Sequence, residues 1–269
     1  MAMEKKLAIN FHETFSLSRD SIRQILEIAK NEKLSKELLA RTSLGTNYQK
    51  AMPKYAFRAG LLDQRNKLTS FGRFVAQYDP AMSHPSTQWL IHYHLAKPHS
   101  PTAFWSHLVI KRFIPGNTFT NEDLVNDITK FLQEHADNIH STRSIRSTTT
   151  VFIGTYLKQD GLGNLRLLQE QAANTYLVLI PETPSKWVIG CALVEYWGVH
   201  YKGRLTINLD DLIEKKFAGV FLLGEERLTD LLLQLKQEGM IDLYRISRPY
   251  QIVLLQPDCE YVLQKIYHI

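Results

Sequence analysis

RTSLGTNYQKAMPKYAFRAGLLDQRNKLTSFGR, residues 41–73, is the stretch that decides how the front of this chain folds. Thr42-Ser43-Leu44-Gly45 is a break, since glycine tolerates the positive φ that closes such a turn. A helix is predicted from about Thr46 to Leu61, with Tyr48, Ala51, Met52, Tyr55, Ala59 and Leu62 as its apolar stripe. Pro53 lies inside it and predicts a kink or a late start, because proline lacks the N–H of the helical ladder. Gly60 marks its end, and Asp63-Gln64-Arg65-Asn66 reads as a turn into Lys67-Leu68-Thr69. Upstream, Ser18 suits the N-cap of a helix carrying Ile22, Ile25, Leu26 and Ile28, and Ser35 that of a short helix carrying Leu38 and Leu39. Three helices followed by a β-ribbon is the winged-helix plan, a variant of helix-turn-helix.

The same stretch holds the chain's positive excess. Seven basic residues (Arg41, Lys50, Lys54, Arg58, Arg65, Lys67, Arg73) face one acid, Asp63, a local charge of +6 against +5 for all 269 residues. A cationic surface on a helix-turn-helix scaffold is a footprint for a polyanion, and DNA is the natural one. On the predicted recognition helix, Asn47, Gln49, Lys50, Lys54 and Arg58 lie mainly off the apolar stripe. Asn and Gln suit adenine edges, and Lys and Arg suit guanine or phosphate. Arg65 and Lys67 fall at the wing tip, in reach of backbone or minor groove. The opposing reading is a solvated basic face on a module that contacts only protein.

Farther on, the text from Ser86 to about Tyr156 is helical. One helix holds Trp89, Leu90, Tyr93 and Leu95; Ser100-Pro101 opens a second with Phe104, Trp105, Leu108 and Val109. Thr120-Asn121-Glu122-Asp123 caps a third, Leu124 to Ala136, and Ser141 starts a fourth. Gly161 and Gly163 flank a linker, and Tyr176 to Ile180 is a strand. Helices at Trp187–Trp197, Leu209–Lys216 and Arg227–Glu238 precede strands at Ile241–Ile246 and Gln251–Leu255. The expected architecture is mainly α with a minor β component. It has an N-terminal winged helix (1–80), a helical middle (81–165) and a C-terminal winged-helix-like module (166–269).

Composition excludes several classes. No apolar run approaches the ~20 residues that span a bilayer; the charged segment Met1–Leu7 has no signal-peptide core, and Lys6–Phe11 reads as a short extended opening. A cytoplasmic protein with no membrane association is expected. Cys191 and Cys259 are then expected to be reduced core residues. The histidines give little: His92 and His94 stand two apart, so on a helix they point roughly 200° from each other and cannot share a metal. No metal-ligating motif is found, and a lone histidine on an apolar helix reads first as a hydrogen-bonded core residue. Arg143 and Arg146, in the run Ser141–Thr149, sit at a helix N-terminus that suits a phosphate; simple capping by Ser141 is the alternative.

Several segments, in order, resemble one family. They are FHETF (Phe11–Phe15), LGTNYQKAMPKYAFRAGLL (Leu44–Leu62), LTSFGRFV (Leu68–Val75), YDP (Tyr78–Pro80), TQWLIHYHLA (Thr87–Ala96), STRSIRSTTTVFIGTYL (Ser141–Leu157) and FAGVFLLGEERL (Phe217–Leu228). The chain resembles the bacterial DUF4007 family, with departures at Thr46, where that family tends to have Lys, and at Pro53. The resemblance implies a component of DNA phosphorothioate modification and anti-phage defence, SspB-like. It implies partnership with DNA and with sulfur-transfer proteins: a cysteine desulfurase, a phosphoadenosine-phosphosulfate-reductase-like protein and an ATPase. It also implies DNA nicking, for which His12 with Glu13 is the candidate base and orienter, Arg143 or Arg146 the phosphate clamp, and a divalent metal the cofactor in question. The rival reading is a non-catalytic DNA-binding adaptor or transcriptional regulator.

Overall fold

The computed structural model describes residues 9–98, 103–136, 140–246 and 248–268. The chain divides into two compact units, Met1–Glu182 and Thr183–Ile269. It is mostly helical, with two small antiparallel sheets. The predicted opening of a helix at Ser100-Pro101, and Lys6–Ala8 of the predicted extended opening, lie outside the described residues. Ile9 to Thr14 forms turns instead of a strand.

In the first unit, α1 (Arg19–Ala29) starts where the Ser18 hydroxyl accepts from the Ser21 N–H, and buries Ile22, Ile25, Leu26 and Ala29. Ser35 caps the four-residue α2 (Lys36–Leu39) in the same way. α3 (Thr46–Arg58) begins at Gly45 with no side-chain cap and continues through Pro53. The proline neither delays nor ends it. Pro53 and Gln49, whose carbonyl loses its helical donor, both line a cavity open to solvent, where water can satisfy that oxygen. Gly60 (φ +75°) stops the helix, and a Cβ there would lie 2.6 Å from the His94 ring.

The ribbon after α3 is minimal, a single antiparallel bridge between Leu62 and Leu68. Its turn is held by Asp63, whose Oδ1 accepts from the N–H groups of Arg65 (2.8 Å) and Lys67 (2.9 Å). A helix the sequence reading did not predict, α4 (Ser70–Tyr78), follows at once, capped by Thr69. It presses on the ribbon so closely that a Cβ on Gly72 would stand 2.0 Å from the Leu61 carbonyl oxygen.

α5 (Pro85–Ala96) is buried nearly all round, as a central helix must be. α6 (Ala103–Arg112), β1 (Thr118–Thr120), α7 (Asn121–His135) and α8 (Thr142–Leu157) follow. α7 opens with a capping box between Thr120 and Asp123. β2 (Leu168–Ala172) and β3 (Thr175–Val178) join β1 in a sheet of order β1-β3-β2. Thr118 faces Leu177, and Leu168 faces Val178. The strand expected in the C-terminal module therefore belongs to the first unit. Its partner β1 has only three residues, too few for a periodic signal.

The second unit runs α9 (Lys186–His200), β4 (Thr206–Asn208), α10 (Leu209–Glu214), α11 (Phe217–Val220), α12 (Glu225–Gln237), β5 (Ile241–Tyr244), β6 (Gln251–Leu254) and α13 (Cys259–Tyr267). Its sheet has the order β4-β6-β5, all antiparallel. β4, α11 and α13 are additions to the predicted set. Among the described residues, no helix is long and apolar enough to cross a membrane.

Candidate nucleic-acid interface

The basic stretch does not form one uniform surface. Arg41, Lys50, Arg65, Lys67 and Arg73 are exposed, whereas Lys54 and Arg58 are half-buried. Lys50, Arg65 and Lys67 make no ion pair among the described residues. Asn47 is exposed in the first turn of α3. The Gln49 amide is turned back and donates to the Leu44 carbonyl at 2.8 Å, so it ties the uncapped helix start instead of pointing outward.

An open cavity of about 620 Å³ joins α2, the start of α3 and the ribbon turn, lined among others by Lys33, Lys36, Thr46, Lys50 and Asn66. Lys33 and Lys36 are additions that the charge count over residues 41–73 missed. Glu32 and Glu37 beside them bring the net charge of residues 32–37 to zero. What identifies them is position, flanking the Ser35 cap on the short helix ahead of α3.

Lys54 and Arg58, one and two turns beyond Lys50 on α3, reach toward the FHETF segment. The Glu13 carboxylate takes Lys54 as its ion-pair partner at 2.5 Å, which holds its pKa below the usual carboxylate range. The Arg58 guanidinium lies over the Phe11 ring, 4.3 Å from its centroid, and its Nη1 donates to the Lys54 carbonyl at 3.3 Å. Its Nε is buried and unsatisfied, and desolvation lowers the guanidinium pKa to about 10.

His12 is 1% exposed. Its Nδ1 accepts from the Thr14 N–H at 3.0 Å, which leaves Nε2 to donate to the Thr148 hydroxyl on α8 at 3.1 Å. Thr148 passes its own proton to the Ser144 carbonyl at 2.9 Å. Burial, opposed in part by nearby Glu13, lowers the imidazole pKa from 6.5 to about 4. Both ring nitrogens are occupied, and the carboxylate expected to orient the ring is bound to Lys54 instead. The two residues are neighbours in sequence without forming a base–orienter pair. Phe11 beside them packs edge-on to Tyr55 at 4.9 Å, and the Tyr55 hydroxyl donates to the Phe15 carbonyl at 2.9 Å. FHETF thus joins α3 to α8.

The other histidines of interest diverge as the helical spacing requires. His92 is buried and hydrogen-bonded at Nδ1 to the Tyr156 hydroxyl (2.9 Å), which also accepts from the Trp105 indole N–H (2.9 Å). His94 stacks on Phe71 of α4, ring centroids 5.7 Å apart. At the start of α8, Arg146 is held by Glu122 (3.0 Å), while Arg143 is exposed. Among the described residues, no group of three or more His, Cys, Asp or Glu is arranged to hold a metal ion.

In the second unit the corresponding helix has the opposite sign. α12 exposes Glu225, Glu226 and Asp230 around Arg227, and Arg248 from the following ribbon pairs with Glu225 at 2.8 Å.

No match was found among curated proteins. Among solved structures, the SspB crystal structure superposes with a TM-score of 0.78 at 17% identity, covering 98% of this chain and 88% of the other. The magnesium ion-bound SspB crystal structure gives 0.77 at 15% identity with the same coverage. At such identities the likeness is one of fold. Residues 10–252 match the family described as "Protein of unknown function (DUF4007)", and over that span this chain belongs to it.

Proposed function

We propose that this protein is the DNA-binding component of a phosphorothioate-modification and anti-phage defence system. It grips target DNA through a winged helix made of α1, α2, α3 and the Leu62–Leu68 ribbon, and presents it to sulfur-transfer partners. The observation that carries the DNA reading is the set of exposed, unpaired cations Lys50, Arg65 and Lys67. They stand beside an uncapped helix N-terminus, with Lys33 and Lys36 along the same groove. Unpaired exposed cations cost the fold nothing and gain energy only when a polyanion releases its counterions to meet them. The fold likeness to SspB and the family membership support the pathway.

The second unit also follows a winged-helix order, but its acidic α12 repels phosphate. We therefore assign DNA to the first unit. Strand cleavage is outside the proposal in the form that uses His12 as base, because that ring has no free nitrogen. A His12→Ala protein should leave any plasmid-nicking rate of the preparation unchanged.

The test is binding of the full chain to a labelled duplex across a salt series. Affinity should fall steeply from 50 to 200 mM salt, by about 0.9 log units per tenfold salt for each phosphate contacted. Absence of binding at low salt, or indifference to salt, overturns the DNA reading. The pathway is tested separately: deleting the gene should remove phosphorothioate linkages from digested genomic DNA.

A further inference from the structure

The second unit places its two cysteines against each other. Cys191 on α9 and Cys259, the first residue of α13, have their sulfurs 2.8 Å apart, and neither is in a disulfide. Cys191 is buried and Cys259 is partly exposed. A disulfide needs its sulfurs at about 2.05 Å, so closure asks for a movement of roughly 0.8 Å. The chain contains no other cysteine, so no alternative disulfide can form within it.

We infer that Cys191 and Cys259 are a modification site, a dithiol that a peroxide converts to an intramolecular disulfide and an external dithiol restores. The sulfur of the more accessible residue, Cys259, attacks one oxygen of hydrogen peroxide, the O–O bond breaks, and sulfenic acid and one water result. The Cys191 sulfur then attacks the sulfenic sulfur. The S–S bond forms as the S–O bond breaks, and the leaving hydroxide takes up the Cys191 proton as a second water. Two thiols give two electrons to the peroxide, and nothing else is consumed. The closed bond ties the first turn of α13 to α9 across a sequence separation of 68 residues, which includes α12 and the β5–β6 ribbon.

The inference is independent of the DNA reading, and the experiment does not involve DNA. The full-length reduced protein is treated with a few equivalents of hydrogen peroxide, quenched and alkylated under denaturing conditions. The expected result is loss of both alkylatable thiols, an intact mass lower by about 2 Da, and return of both thiols on addition of dithiothreitol. The native protein should form the disulfide at least about tenfold faster than the chain in urea, because the fold supplies the proximity. In Cys191→Ser, Cys259 should instead accumulate as a dimedone-trapped sulfenic acid. A native rate no greater than the unfolded one overturns the inference. So do intermolecular dimers, a gain of two oxygens on one sulfur, or two thiols still alkylatable. The wild-type comparison stands even where the serine variant does not fold.

Discussion

Replacing Lys50, Arg65 and Lys67 together with alanine removes the exposed, unpaired cations of α3 and its ribbon while leaving the fold untouched. None of the three contributes a buried side chain or an ion pair among the described residues. The Asp63 turn also survives, because it is held by the backbone N–H groups of Arg65 and Lys67. If each cation meets one phosphate, the variant loses three counterion-release terms of about 0.9 each, so its log–log salt slope is shallower by about 2.7. At 0.1 M salt that corresponds to binding weaker by about 500-fold, and the gap narrows about forty-fold between 50 and 200 mM. Fluorescence anisotropy on a labelled duplex, at four salt concentrations, measures both quantities, with circular dichroism as the check on folding. A folded variant whose slope equals the wild type's refutes the placement of DNA on this face. An affinity loss that is uniform across salt refutes the electrostatic reasoning itself.

Other consequences follow from the same geometry. Glu13→Gln releases Lys54 from its ion pair and removes a charge that repels phosphate; duplex affinity at 0.1 M salt should rise by up to about tenfold, the worth of one added contact. A catalytic Glu13 would give no such gain. The His12 imidazole binds its proton less well folded (about 4) than at its ordinary value of 6.5, so the unfolded chain takes up more protons between these values. Its stabilising share is complete above pH 6.5 and is lost as the pH falls toward 4. Denaturant titrations should show wild type losing about 2.5 kcal/mol more than His12→Gln between pH 7 and pH 4.5. Gly72→Ala drives a Cβ into the Leu61 carbonyl and should cost about 3 kcal/mol, whereas Gly45→Ala, with open space around it and φ −63°, should cost less than about 1 kcal/mol by thermal melting.

The helices of the front module were legible because each carries a local signal: Ser18 and Ser35 as caps, Gly60 as a stop, and an apolar stripe between. α4 was missed because Ser70-Phe71-Gly72-Arg73 puts a glycine and a polar run where a helix should start. That glycine is required by a neighbouring carbonyl in space, which no local pattern reveals. β1 and β4 were missed for their length, three residues each, and become strands only through partners far along the chain. The candidate site divides along the same line. Net charge on residues 41–73 located the cationic face, but not which cations are free. Lys54, Arg58 and Arg146 are each engaged by residues distant in sequence: Glu13, Phe11 and Glu122.

His12 is the clearest case of chemistry misread from adjacency. An imidazole beside a carboxylate suggests a base and its orienter, yet successive residues in a tight turn point apart. Here Glu13 and Thr14 take positive φ (48° and 74°), which sends the carboxylate out to Lys54 and leaves the ring facing in. The strained turn costs about 1–3 kcal/mol per residue, and buried contacts offset it: His12 to Thr148, Phe11 to Tyr55, and the Tyr55 hydroxyl to the Phe15 carbonyl. All three run from this one segment to α3 or α8. α3 therefore holds its orientation through this buried buckle, while Lys50, one turn before Lys54, stays exposed beside the cations of the ribbon. The proposed DNA contact needs such anchoring, since side chains reach phosphates in register only when the helix carrying them cannot turn about its own axis.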